Sequence, residues 1–178
     1  MRRRARISTK YCTSTAGSSC NPEFESSVSN KTIPAEADIT RLTGHRFPGG
    51  FYTVAHWENF LLTECTGATL LPGGRVHPVA LFHLPIIGAG TSIADMFALG
   101  HAESDRSIMI ESYDWETFLP LREETCYRVS GGISSAQRCR NSQGDPYDRI
   151  QFRFEVYSPE EALAARTTVT WHYTRNTL

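Results

Sequence analysis

The apolar positions along the chain fall into a few sharply different patterns. Residues 149–157 alternate strictly. Ile150, Phe152, Phe154 and Val156 take one side and Arg149, Gln151, Arg153 and Glu155 the other, the two-residue period of a half-buried strand. Residues 167–175 repeat the pattern, with Val169, Trp171 and Tyr173 opposed to Thr168, Thr170 and His172. Looser β-rich stretches occupy 107–115 and 125–134, and a short strand at 51–54 follows the turn signal Pro48, Gly49, Gly50. A helical spacing holds over 56–65, where Trp57, Phe60 and Leu61 share a side and Gly67 would close the helix. The longest apolar stretch is 77–100. Its Pro85, Gly88 and Gly90 predict that a helix begins after them or kinks there, with Ile93, Met96 and Phe97 on one face.

Several strands after one long apolar helix predict an α+β meander whose sheet buries one face on residues 77–100. The small residues Gly88, Ala89, Gly90, Ser92 and Ala94 would let that helix lie close against the sheet. The segment is too short and too punctuated to span a bilayer.

Residues 1–40 differ from the rest. Five basic residues (Arg2, Arg3, Arg4, Arg6, Lys10) precede the first acid, Glu23, and large apolar side chains are sparse. Such a stretch cannot offset its own ordering entropy by burial, so a poorly ordered arm over 1–40 and a single domain over 41–178 are expected. No apolar run follows the arginines as a secretory signal requires, although an Arg- and Ser-rich start also resembles an organelle transit peptide. The whole chain has 178 residues, 40% apolar and 21% charged, enough for one sizeable core. Its net charge of -1 gives no bulk attraction to nucleic acid or to a membrane surface. Cys12, Cys20, Cys65, Cys126 and Cys139 are odd in number and irregularly spaced, which argues against a disulfide framework and against a zinc site. A cytoplasmic protein without metal or cofactor is the expectation.

The order of elements is that of hot-dog proteins, in which an antiparallel sheet wraps a long central helix. The sequence resembles the MaoC-like and FAS1-like dehydratase group of that fold over roughly residues 45–176. The resemblance is carried by Val76, His77 and Pro78 opening the apolar segment. It is carried also by the stretch DWETFLPL at 114–121, similar to the group's strand followed by an F-x-x-P step, with Arg122, Glu123 and Glu124 in place of the usual x-G-D. It implies action on 3-hydroxyacyl or 2-enoyl thioesters of acyl carrier protein or coenzyme A. It also implies a homodimer, or a heterodimer with another hot-dog chain. One departure stands out. The group's hydratase motif places an Asp and, five residues later, a His between the first helix and the long one, and residues 67–76 contain neither. Group members without that pair complete the acyl tunnel of a catalytic partner. A second resemblance is to FabA/FabZ-type dehydratases, through His83, Leu84 and Pro85 followed by Asp95 in the stretch ADMFA.

Dehydration of a 3-hydroxyacyl thioester needs a base for the α-proton and an acid for the departing hydroxyl. The second resemblance implies His83 as base and Asp95 as acid, the latter across a dimer interface and kept protonated by an apolar pocket. His77, His56 and Glu64 are alternatives. Gly88, Ala89 and Gly90 are expected to open a helix whose free N–H groups receive the thioester oxyanion. A carboxylate on the central helix could instead activate water, as in a hot-dog thioesterase.

Overall fold

The computed structural model describes residues 33–175. Five strands, β1 (Gly50–Thr53), β2 (Ile108–Thr117), β3 (Cys126–Arg140), β4 (Pro146–Tyr157) and β5 (Leu163–Thr174), form one sheet in the order β1-β3-β4-β5-β2. Every pairing is antiparallel. β1 and β2 are therefore the edges, and β2 has ten residues.

The alternation read from the sequence is the alternation of burial in β4, and it holds in 167–174 of β5 except at Thr170, which is buried too. Ile150, Phe152, Phe154 and Val156 of β4 are fully shielded, as are Val169 and Tyr173 of β5 with Trp171 almost so. The residues between them pair across the ladder on the other face: Arg149 opposite His172, Arg153 opposite Thr168, Glu155 opposite Arg166. The inner face closes over residues 77–100, burying Ala80, Leu81, Leu84, Ile86, Ala89 and Met96. Tyr173 fixes the depth of this packing, its hydroxyl donating to the Met96 carbonyl at 2.9 Å.

The clasped segment is not one long helix. It consists of a 3₁₀ turn (Pro78–Phe82), a short helix α3 (Leu84–Gly88) and a second helix α4 (Ile93–Leu99). Each proline sits at the start of its turn, where a missing N–H costs nothing. Gly90 ends α3 at φ 71°, a left-handed conformation natural to glycine. Ser92 then caps α4 by accepting from the Asp95 N–H at 3.1 Å.

One boundary and the orientation of one helix differ from the sequence expectation. A helix α1 (Glu36–Thr40) belongs to the domain, because its Ile39 is fully buried in the core beside β3. The domain thus starts before residue 41, while the rest of the expected arm, with its transit-peptide alternative, lies outside the described residues. Helix α2 (His56–Cys65) is turned the other way round: it buries Asn59 and Thr63 and exposes Trp57, Phe60 and Leu61. Asn59 decides this. Its Nδ2 donates to the Arg75 carbonyl and to Glu123, and its Oδ1 accepts from the His77 N–H. Withdrawing an amide with three such partners from the interior would cost more than exposing apolar rings.

Among the described residues, no helix is long and apolar enough to cross a membrane. Cys65, Cys126 and Cys139 are free thiols, and Cys12 and Cys20 lie outside the described residues.

Candidate active site

The beginning of α3, the first turn of α2 and β1 meet at one place. His83 directly precedes α3, and Glu58 lies in the first turn of α2. The His83 Nε2 is 2.8 Å from the Glu58 Oε1. The same oxygen accepts a 2.6 Å hydrogen bond from the Tyr52 hydroxyl on β1. The Glu58 side chain is 14% exposed and that of His83 31%, so the carboxylate is shielded while the imidazole keeps an open side. Tyr52 meets the His83 ring edge to face, with centroids 6.3 Å apart. Burial first, and then the Glu58 carboxylate, push the Tyr52 phenol up to about 12. It therefore remains a donor at neutral pH. With the Nε2 proton given to Glu58, the Nδ1 of His83 is the basic nitrogen, a tautomer assigned from this hydrogen bond.

An aromatic cluster forms around Phe82, the residue before His83. Phe82 packs against Tyr113 with the rings tilted and centroids 4.5 Å apart, and meets Trp115 edge-on at 5.1 Å. The Tyr113 hydroxyl donates to the carbonyls of Leu81 and Phe82, fixing the backbone just before His83. Phe82 and Trp115 stay 46% and 39% exposed.

The other residues singled out from the sequence lie elsewhere. Asp95 is bound to its own helix cap, accepting from the Ser92 hydroxyl at 2.7 Å. Among the described residues no hydrogen bond or ion pair joins it to His83. His77 caps the 3₁₀ turn through its Nδ1, which accepts from the Val79 N–H. The His56 ring is paired with Glu123, whose carboxyl Asn59 and then His56 hold below the usual range. Glu64 is exposed in the last turn of α2.

Gly88, Ala89 and Gly90 end a helix rather than open one. The Ala89 N–H donates to the Pro85 carbonyl and the Gly90 N–H to that of Ile87, so neither is free for an oxyanion. The small side of Gly88 serves packing instead: a Cβ there would lie 2.7 Å from the Val129 Cγ2 and 3.2 Å from the Tyr52 Cβ.

Sequence reasoning missed Glu58 and Tyr52. The signal lay in α2. Once Asn59 and Thr63 face inward, Glu58 sits at the margin of the buried arc, whereas a reading guided by Trp57, Phe60 and Leu61 turns it to solvent.

No family model matches the chain, and no curated protein does. Solved structures do match in fold. The ChsH1–ChsH2 complex from Mycobacterium tuberculosis matches with a TM-score of 0.59 at 10% identity, over 80% of this chain and 90% of that one. The C-terminally truncated HadBC (3R-hydroxyacyl-ACP dehydratase) complex from the same organism matches with 0.51 at 13% identity, over 75% and 98%. A MaoC-like dehydratase from Phytophthora capsici matches with 0.53 at 10% identity, over 80% of this chain and half of that one. The chain has the hot-dog fold.

Proposed function

We propose that this chain acts as a hydratase or dehydratase on 3-hydroxyacyl and 2-enoyl thioesters, with His83 as the proton-transferring group and Glu58 as its carboxylate. The observation that carries the reading is the 2.8 Å His83–Glu58 pair, shielded on the carboxylate side and partly open on the imidazole side. The Nδ1 of His83 takes the α-proton, and Glu58 stabilises the imidazolium that forms. The electron pair left on the α-carbon forms the double bond and expels the β-hydroxyl. That hydroxyl takes the proton from His83 and leaves as water. Tyr52 donates to Glu58 and holds it in place. The exposed rings of Phe82 and Trp115 offer a surface for the acyl chain. Glu58 serves as the carboxylate partner of His83, a role different from that expected for Asp95, which as an acid across a dimer interface enters the reaction only if a second chain presents it.

A second hot-dog chain belongs to the proposal. Among the described residues β2 is an edge of ten residues with no strand on its outer side, carrying Met109 and Ile110, both about 60% exposed, the kind of edge that another strand covers. ChsH1–ChsH2 and HadBC are complexes of two chains. The lack of an Asp–His pair in residues 67–76 favours one alternative, a subunit that completes a partner's tunnel and does no chemistry alone.

The test is hydration of a short 2-enoyl-CoA by the purified protein, followed by loss of the enoyl absorbance. H83A should lower the rate by about 10²–10⁴-fold with the circular dichroism unchanged. Wild-type turnover by H83A would remove His83 from the mechanism. Activity only on mixing with a companion hot-dog chain would select the subunit reading. Release of free thiol without hydration would select a thioesterase.

A further inference from the structure

The edge strand β2 carries one residue more than β5 pairs with. Ile108, Ile110, Tyr113 and Trp115 stand opposite Tyr173, Trp171, Val169 and Thr167, and the register shifts between Ile110 and Ser112. Glu111 is the extra residue, a β-bulge. Directly opposed residues of an antiparallel pair share a face. Tyr173, Trp171, Val169 and Thr167 are all buried, so Tyr113 and Trp115 share their inner side. Without the bulge, the register running on from Ile110 would set Ser112 opposite Val169 and Asp114 opposite Thr167, and Tyr113 would turn to the outer face. One residue therefore decides whether Tyr113 faces the clasped segment.

Glu111 is anchored where it stands. Its Oε2 accepts from the Arg149 Nε at 2.6 Å and its Oε1 from the Arg149 Nη2 at 2.8 Å. The His172 Nε2 lies 2.6 Å from the same Oε2, and the His172 ring rests against Tyr147 with centroids 4.4 Å apart. Arg149 belongs to β4 and His172 to β5, opposite each other in the ladder, so the bulge is tied across two strands. A guanidinium fork on a carboxylate fixes direction as well as distance. Arg149 first, and His172 with it against the opposing effect of burial, hold the Glu111 carboxyl down to about 2, so the anchor is ionised at neutral pH. An edge strand has ladder bonds on one side alone, and a side-chain anchor at its bulge counts for more there than in the middle of a sheet.

Beyond the bulge, Tyr113 reaches the site. Its hydroxyl donates to the Leu81 carbonyl at 3.1 Å and to the Phe82 carbonyl at 2.8 Å. Leu81 and Phe82 end the 3₁₀ turn, and His83 is the junction between that turn and α3. Glu58 belongs to α2, so the His83–Glu58 distance depends on where this junction is held. We propose that Glu111 is a positioning residue for His83: tied to Arg149 and His172, it fixes the bulge that turns Tyr113 inward, and Tyr113 holds the junction within reach of Glu58. Among the described residues no hydrogen bond or ion pair joins Glu111 to His83, so it acts through Tyr113. Its effect on rate rests on the hydratase reading above, whereas its effect on the His83 ring does not.

The test reads the His83 ring and the rate separately. Nuclear magnetic resonance of the full chain with isotope-labelled histidine rings gives the first, the His83 signal being the one absent in H83A. E111A, R149Q and Y113F should each move that signal with the circular dichroism unchanged, and R149Q carries the test if E111A fails to fold. E111A combined with Y113F should move it no further than Y113F alone, because the two residues act along one line. With a short 2-enoyl-CoA, E111A and R149Q should each lower kcat about tenfold or more and leave KM within about twofold. The proposal is overturned if E111A and R149Q leave the His83 signal at its wild-type position, or if the effects of E111A and Y113F add. A moved signal in a protein without hydratase activity leaves the positioning role standing and removes the catalytic reading. Activity that H83A abolishes, and that E111A and R149Q leave at the wild-type rate, does the reverse.

Discussion

Arg175 and Asp148 meet inside the protein, the Nε of one donating to the Oδ2 of the other at 2.7 Å with both side chains fully shielded. The remaining Arg175 donors go to the carbonyls of Gly100 and His101 at the end of α4. Asp148 also receives Arg138, whose second branch reaches the Pro34 carbonyl. One carboxylate thus ties β3, β4, the end of β5, the start of the domain and the end of the clasped segment.

Removing that carboxylate should be severe. D148N leaves two arginines facing each other around a neutral amide, and a broken buried pair costs about 3–5 kcal/mol. Urea unfolding of the variant should show a loss of that order. A loss under about 1 kcal/mol would mean that water reaches the cluster and screens it.

Gly88 should couple packing to the site. In G88A the new methyl meets Val129 and the Tyr52 Cβ, and overpacking of this kind costs about 1–3 kcal/mol. Because Tyr52 is one of the displaced groups, hydratase activity should drop more than in V129A, which relieves the same region. Equal activity in the two variants would separate Gly88 from the site.

Tyr52 should be visible in alkaline titration. Its phenol is raised to about 12 by burial and by Glu58, while an unfolded tyrosine ionises near pH 10. A group raised in the folded state contributes stability that is complete below the unfolded value and declines as pH climbs from about 10 towards 12. Difference spectra of wild type against Y52F should therefore show one late phenolate. E58Q, which removes the neighbouring charge, should move that transition to lower pH; no movement would mean that burial alone sets it.

The β2 edge should govern association. I110K places a charge on the exposed edge and should shift the protein towards smaller species in size-exclusion chromatography with light scattering. Its unfolding midpoint should stay near that of wild type when both are compared as monomers. An unchanged oligomer would place the interface elsewhere, with the exposed Trp57, Phe60 and Leu61 of α2 as the next surface to vary.

What the sequence determined was whatever depends on near neighbours along the chain. Alternation in 149–157 and 167–175 marks the buried faces of β4 and β5, because successive side chains of a strand must point to opposite sides. The apolar mass of 77–100 marks what that sheet encloses, and Pro85 with Gly90 marks where its helix breaks. Tertiary structure alone decided which side of α2 turns inward, because the deciding bonds of Asn59 run to Arg75, His77 and Glu123, far along the chain. It likewise gave His83 to Glu58, 25 residues earlier, and left Asp95 to its own helix cap. A helical pattern records how much apolar surface a segment carries, but the direction in which the segment faces is set by partners that only the folded chain brings near.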